Sequence, residues 1–232
     1  MRYILEQNAK VLTVGQSIFE VTDEINPPIL NLNGENIAGK ANGDPLSIWY
    51  SNGMEGISAQ QAVAANQPVY RPNAINGYPA VEFDLSKCLV LQTGAVCKTL
   101  FIVCRYLDAA PGYVGMLTDQ GQTVFRMDHF STGNFFFGAL QGFGAADSRS
   151  WNFKKVRLYV GGVEVAPPGG FVPKNFFTVV AIDIPVDCTL LQLGQTGNLL
   201  RFQIAHLSGY DYRMKYSDRV KITNQLRQKY QL

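Results

Sequence analysis

The stretch that decides the fold runs from Pro68 to Leu91 and reads PVYRPNAINGYPAVEFDLSKCLVL. It predicts a turn that feeds two strands. Asn76 and Gly77 form a strong turn dipeptide, because both residues adopt positive φ at low cost. Pro79 then favours an extended backbone, because its ring removes a hydrogen-bond donor and disfavours a helix. The apolar run from Cys88 to Leu91 predicts the second strand.

Acidic and apolar residues alternate in the first of these strands. Val81 and Phe83 fall on one face, and Glu82 and Asp84 fall on the other. This period of two predicts a half-buried strand with a solvent face. Paired carboxylates on one face are also what a glycoside hydrolase uses. Two explanations therefore stay open for Glu82 and Asp84, a solvated strand face and a degenerate acid pair.

Three segments carry a family resemblance. They are Asn73–Asp84 (NAINGYPAVEFD), Leu158–Val165 (LYVGGVEV) and the closing segment Ile204–Tyr230. In this order they resemble the laminin-G-like, concanavalin A-like jelly rolls of bacteria and bacteriophages, although Gly161 and His206 depart from the family pattern. The resemblance implies an all-β, two-sheet antiparallel jelly-roll sandwich with a C-terminal α-helix. Lectins, glycosidases and assembly modules share such a fold, so the fold alone assigns no function.

Composition restricts the class of protein. The 232 residues are 47% hydrophobic and 16% charged, which supplies material for a large core. The net charge of +2 argues against a nucleic-acid partner. Neither a signal-peptide pattern nor an apolar run of about 18 residues is present. We therefore expect folding in a cytoplasm and no membrane insertion.

The cysteines predict buried thiols. Cys88, Cys97, Cys104 and Cys188 lie in or beside apolar strands and lack the spacing of a CxxC motif. Free Cys behaves as a small buried hydrophobe, so free thiols are the expectation, with a disulfide as the alternative.

The chain divides into two predicted parts. Residues 1–45 predict an N-terminal β arm and linker, because short alternating segments precede a stretch rich in Asn, Gly and Pro. Residues 46–232 predict the jelly-roll domain. Its last element is a helix with Ser217 as the N-cap. Apolar residues at helical spacing then form a stripe that docks on a sheet, namely Ile222, Leu226 and Tyr230.

A glycan site is predicted around one tryptophan. Trp151 follows a long polar loop and presents a flat apolar ring. Tyr113, Asp128 and Asn134 join it if the sheet curves as the family resemblance implies. The three consecutive rings Phe135, Phe136 and Phe137 predict a protein interface instead, because Phe has no polar handle for a sugar. A second buried layer is the alternative for these rings.

No catalytic set is predicted. The strand lacks the third carboxylate that would act as the acid after Glu82 and Asp84, and His129 and His206 have no nucleophile assigned by sequence. We predict no metal site and no cofactor. The family resemblance leaves a calcium ion open, with Asp119, Asp128 and Asp147 as candidate ligands.

The sequence thus favours a binding or assembly role over an enzyme. The first hypothesis is a non-catalytic structural or adhesion module of a bacteriophage virion, in a tail, fibre or head-decoration protein. Its partners would be other virion proteins or further copies of itself as a homo-oligomer, and host-surface glycans. The alternatives are a stand-alone carbohydrate-binding module and a degenerate glycoside hydrolase.

Overall fold

A computed structural model describes residues 9–14, 17–22, 25–84, 86–107, 112–119, 122–129, 135–139, 157–165, 171–172, 177–194 and 201–232. These residues form strands and one α-helix. In chain order they are β1 Ala9–Val14, β2 Ser17–Thr22, β3 Leu30–Asn33, β4 Ile48–Tyr50, β5 Ser58–Gln60, β6 Val69–Ile75, β7 Tyr78–Phe83, β8 Leu89–Tyr106, β9 Gly112–Asp119, β10 Gln122–His129, β11 Phe135–Ala139, β12 Arg157–Val160, β13 Val163–Val165, β14 Phe171–Val172, β15 Thr178–Leu193, β16 Phe202–Tyr210 and α1 Tyr216–Tyr230.

Two long strands, β8 and β15, hold the main sheet together. They pair with each other along both of their ends, with register shifts between the two parts. Where the C-terminal part of β8 pairs with the N-terminal part of β15, the strand order is β6-β7-β16-β8-β15-β12-β13. We call this part of the sheet the first half. Where the N-terminal part of β8 pairs with the C-terminal part of β15, the strand order is β4-β5-β8-β15-β9-β10-β11-β14. We call this part of the sheet the second half.

The larger core cluster contains residues from both halves of the sheet, so the halves pack face to face as a sandwich. Fully buried apolar side chains make up this cluster, and each one of leucine or phenylalanine size stabilises the fold by roughly 1.5–3 kcal/mol. Among its members are Val81, Phe83, Ile102 and Phe202 from the first half and Trp49, Ala59, Leu91, Leu117 and Leu193 from the second.

A second cluster lies between the outer face of the first half and helix α1. The predicted stripe of Ile222, Leu226 and Tyr230 is buried there, as the helical spacing requires. The sheet residues that the helix covers include Ala80, Phe101, Val103, Tyr159, Val179 and Ala181. The predicted all-β sandwich with a C-terminal α-helix is therefore confirmed.

The predicted turn at Asn76-Gly77 is confirmed by its backbone angles, and a second turn of the same kind lies at Gly161-Gly162. Asn76 and Gly77 have φ values of 46° and 87°, and they join β6 to β7. Gly161 and Gly162 have φ values of 59° and 91°, and they join β12 to β13. Positive φ at both central residues gives a turn whose twist matches that of the paired strands.

Two local predictions were wrong. Strand β7 is not half-buried, because α1 covers Ala80 and a salt bridge covers Glu82, which is only 9% exposed. Ser217 is not the N-cap of α1, because Lys215 occupies that position and makes no side-chain capping bond. The Ser217 hydroxyl lies within the first turn and donates to Asp218 at 3.5 Å.

The N-terminal residues form two separate pieces of structure. β1 and β2 pair as an antiparallel hairpin, and this two-stranded sheet is distinct from the main sheet. β3, which also lies within the predicted arm and linker of residues 1–45, pairs with β16 in the main sheet. The division at residue 45 stays a prediction. Within the described residues, no helix has the length and apolar character needed to cross a membrane.

The thiols that can be assigned are free. Cys88, Cys97 and Cys104 are buried and unpaired, as predicted. Burial raises the pKa of Cys97 to about 12, so its thiol is protonated and unreactive at neutral pH.

Candidate functional site

Glu82 is the acidic residue on which a catalytic role would depend, and it is held in a buried salt bridge. Arg71 on β6 donates through Nε to Oε2 and through Nη2 to Oε1 of Glu82, both at 3.0 Å. The Glu82 side chain is 11% exposed, and that of Arg71 is 33% exposed. This two-bond geometry fixes the carboxylate in one orientation.

The salt bridge continues as a row of polar side chains across the first half. Gln203 on β16 donates through Nε2 to Glu82 Oε2 at 2.7 Å. Arg105 on β8 donates through Nε to Gln203 Oε1 at 2.8 Å, and its guanidinium lies 4.6 Å from the ring centroid of Phe177. Because β7, β16 and β8 are neighbours, residues that are distant in sequence meet in one row.

The electrostatics of this row keep Glu82 ionised. Burial alone would raise the pKa of Glu82, but hydrogen bonds from Arg71 and Gln203 outweigh it and hold the pKa below its usual value. A general acid in a glycosidase needs a raised pKa, so that it carries a proton near neutral pH. Glu82 is therefore unsuited to donate a proton, and its oxygens are occupied by the residues that hold it.

A second buried carboxylate lies beneath the start of α1. Asp183 on β15 accepts two bonds from Arg213, at 3.0 Å each, and Arg219 Nη1 lies 3.6 Å from its Oδ2. Arg219 also donates through Nη2 to the Tyr159 hydroxyl at 2.9 Å and through Nη1 to the Met214 carbonyl at 2.7 Å. These bonds tie α1 to the sheet, which is a structural role.

His206 lies between α1, β3 and β8, and it stays uncharged. Burial first, and then the positive charge of Lys229, lowers the pKa of His206 to about 4, although Glu35 acts in the opposite direction. Its Nδ1 is buried without a hydrogen-bond partner, and its ring centroid is 6.5 Å from that of Tyr230. A neutral, enclosed imidazole with no adjacent nucleophile in these contacts fits a structural residue.

The predicted glycan residues are only partly placed. Tyr113 on β9 and Asp128 on β10 are directly paired in the backbone register, so the fold brings these two positions together. Trp151 and Asn134 lie outside the described residues. The four-residue glycan site therefore stays a prediction.

The predicted interface residues lie on a strand near one end of the second half. Phe135, Phe136 and Phe137 belong to β11, in which Phe136 pairs with Asp128 on one side and with Phe171 on the other. Whether these three residues form an interface stays a prediction.

The candidate calcium ligands also remain only partly placed. Asp119 ends β9, Asp128 lies in β10, and Asp147 lies outside the described residues. Over the described ranges, no three His, Cys, Asp or Glu side chains cluster as metal ligands would.

Sequence reasoning missed the partners of both buried carboxylates. Arg71 and Gln203 are 11 and 121 residues from Glu82, and Arg213 is 30 residues from Asp183. The partner Arg71 could have been predicted, because the Asn76-Gly77 turn places the strand of Arg71 beside the strand of Glu82. Gln203 could be identified only from the pairing of β16 with β7.

Comparison with known proteins gives limited information. No protein family model matches the chain, and no curated protein matches it. In structure, the chain is similar to a Trypanosoma rangeli sialidase in complex with sialic acid, at a TM-score of 0.48 and 14% identity. The similarity covers 94% of this chain and 36% of the sialidase chain, so this chain spans about a third of that protein's length. At these values the likeness assigns no activity.

Proposed function

We propose that the chain is a non-catalytic structural or adhesion module of a bacteriophage virion, which contacts neighbouring proteins and host glycans. The observation that carries the non-catalytic part is the state of Glu82. Its carboxylate is buried, bonded to Arg71 and Gln203, and has a lowered pKa, whereas a catalytic acid needs an accessible proton.

The resemblance to concanavalin A-like jelly rolls of bacteriophages supports the virion part. The N-terminal hairpin also supports it, because β1 and β2 form a two-stranded sheet apart from the main one. An isolated two-stranded hairpin is marginally stable in water, so packing against another protein or another copy would stabilise it.

Two experiments test the two parts. Incubation of the chain at high concentration with a polysaccharide panel, followed by a reducing-end assay, tests the absence of catalysis, and we expect no release of reducing ends. Release that Glu82→Gln abolishes would establish the degenerate glycoside hydrolase instead.

Light scattering of the purified chain at two concentrations tests the assembly role. We expect one oligomer of fixed mass, a trimer or a larger ring, at both concentrations. A monomer at both concentrations would replace the assembly role with the second candidate, a stand-alone carbohydrate-binding module. The exposed Tyr50 ring on the second half favours glycan binding in either case.

A further inference from the structure

The outer surface of the second half has an unusual set of side chains for a solvent-facing sheet. Trp49, Ala59 and Leu91 point into the core from three adjacent strands, β4, β5 and β8. Because side chains alternate along a strand, the residues next to them point outward. We call these outward residues and their neighbour on β15 the amide face, which comprises Ile48, Tyr50, Ser58, Gln60, Val90, Gln92 and Gln192.

The backbone register aligns this face into rows. Gln60 pairs with Val90 on β8, and Val90 pairs with Gln192 on β15. Tyr50 pairs with Ser58 in the neighbouring row. Since adjacent strands are about 4.8 Å apart, the four strands β4, β5, β8 and β15 present a surface roughly 14 Å across.

Two apolar side chains of the face are open to solvent. Tyr50 is 61% exposed and Val90 is 45% exposed. Gln92 is exposed as well, Ile48, Gln60 and Gln192 are half-buried, and Ser58 is buried at 4% exposed. An exposed tyrosine ring beside amides offers a flat apolar surface with polar groups at its edge.

Hydrogen bonds within the face hold the polar groups in place. The Ser58 hydroxyl donates to Gln92 Oε1 at 2.5 Å, and Gln60 Nε2 donates to the Ser58 oxygen at 3.3 Å. Gln192 Nε2 donates to the Gly194 carbonyl at 2.8 Å. Each bond uses one polar atom of an amide that has both a donor and an acceptor end. The amides are thus oriented in advance, which lowers the entropic cost of binding.

The chemistry of the face selects a class of ligand. None of its seven side chains is an Asp, Glu, His, Lys or Arg, so the face offers no ion pair to a phosphate, a sulfate or a uronic acid. Sugar hydroxyls donate and accept hydrogen bonds, as amides do, and the C–H face of a sugar ring is apolar, as tyrosine is. A neutral sugar chain therefore matches the face in charge, hydrogen bonding and shape.

We propose that the amide face binds a neutral polysaccharide, with Tyr50 as the ring on which a sugar stacks and Gln60, Gln92 and Gln192 as partners of sugar hydroxyls. This inference rests on the proposed non-catalytic binding role and names its ligand class and its surface. The site is distinct from the predicted one around Trp151, which lies outside the described residues.

The test is a glycan array that carries neutral glucans, mannans and galactans beside polygalacturonate and other polyuronic acids. The labelled full chain is compared with Tyr50→Ala, Gln92→Ala and the matched control Tyr216→Ala, whose tyrosine is 64% exposed on α1. Far-UV circular dichroism confirms that each variant is folded. Biolayer interferometry on the retained polysaccharides then gives the dissociation constants.

We expect the parent chain to be retained on at least one neutral polysaccharide. The dissociation constant should be at least tenfold higher for Tyr50→Ala and several-fold higher for Gln92→Ala. It should not change for Tyr216→Ala. Absence of neutral retention, retention on polyuronic acids alone, or equal binding by Tyr50→Ala would overturn the site. Cleavage of the polysaccharide that is bound through Tyr50 would uphold the site and overturn the non-catalytic function. Fixed-mass oligomers with no glycan retention would overturn the site and leave the assembly role standing.

Discussion

The outer surfaces of the two halves of the sandwich differ in what their polar groups do. On the first half, α1 and two arginine-paired carboxylates, Glu82 and Asp183, close the surface. On the second half, the amide face carries no charge and leaves Tyr50 61% exposed. Charged groups on the first half hold elements together, whereas uncharged groups on the second half remain accessible to a ligand.

The largest expected effect comes from Asp183→Ala, which leaves the buried Arg219 without its carboxylate. Breaking a buried ion pair from one side costs about 3–5 kcal/mol. Urea unfolding measures this loss in the free energy of unfolding. The control is Arg213→Ala, whose side chain is 50% exposed in the same cluster. We expect a smaller loss of about 1.5–3 kcal/mol for it, because Arg219 stays beside the carboxylate, and equal losses would show that the buried Arg219 adds nothing to the cluster.

The next effect is the pH dependence that His206 causes. Its pKa of about 4 in the folded chain lies below its ordinary value of 6.5. Between pH 6.5 and pH 4 this histidine is protonated in the unfolded chain and neutral in the folded chain. The free energy of unfolding therefore falls by roughly 3 kcal/mol as the pH drops from 6.5 to 4.

The variant His206→Phe isolates this contribution. Glu35 and Glu82 titrate in both proteins, so the difference between the two pH profiles belongs to residue 206. Chemical unfolding at steps from pH 7 to pH 4 should show a flatter profile for the variant. Parallel profiles would mean that His206 takes up its proton in the folded chain.

A smaller effect is expected from Glu82→Gln, which removes the charge from the Arg71 salt bridge. Hydrogen bonds to charged groups contribute about 1.5–3 kcal/mol, and the loss should lie in that range at pH 7. Because folding lowers the pKa of Glu82, its contribution is present above the unfolded value and is lost as the pH falls through the folded one. The gap between the two proteins should therefore narrow in acid.

A matched control for this change is Glu164→Gln. Glu164 also faces an arginine, Arg157 at 3.9 Å, but both side chains are more than half exposed. An exposed pair of this kind contributes little, because solvent screens the charges and ordering the two side chains offsets their attraction. If Glu82→Gln lowers the free energy of unfolding no more than Glu164→Gln does, the buried pair stabilises the fold no better than the exposed pair.

The smallest effect on stability is expected at the amide face. Tyr50→Ala should change the free energy of unfolding by no more than about 0.5 kcal/mol, since its ring is largely in solvent. Thermal and urea unfolding of the variant against the parent chain check this. A loss of several kcal/mol would show that the ring supports the fold rather than a ligand.

Local patterns in the sequence predicted much of the fold. Asn76-Gly77 and Gly161-Gly162 mark turns through their tolerance of positive φ, and this property belongs to the residues themselves. The stripe from Ile222 to Tyr230 predicts a helix that docks on a sheet, because its spacing is also local. These local signals do not contain the order in which the strands pair.

The burial of Glu82 could not be predicted from its own strand. Alternation shows that Glu82 faces away from Phe83, but what covers that second face depends on α1 and β16, which come more than a hundred residues later. The amide face was missed for a similar reason. Ser58 and Gln92 are 34 residues apart, and only the pairing of β5 with β8 brings them together.

The most direct test of the central claim, that Glu82 holds the fold and performs no catalysis, is a carbon-13 NMR titration of its carboxyl group in the folded chain. The salt bridge with Arg71 predicts a pKa below the ordinary value of 4.5 and a titration that coincides with loss of stability in acid. A pKa near neutrality, with the chain folded throughout, would contradict the claim and identify Glu82 as a proton donor.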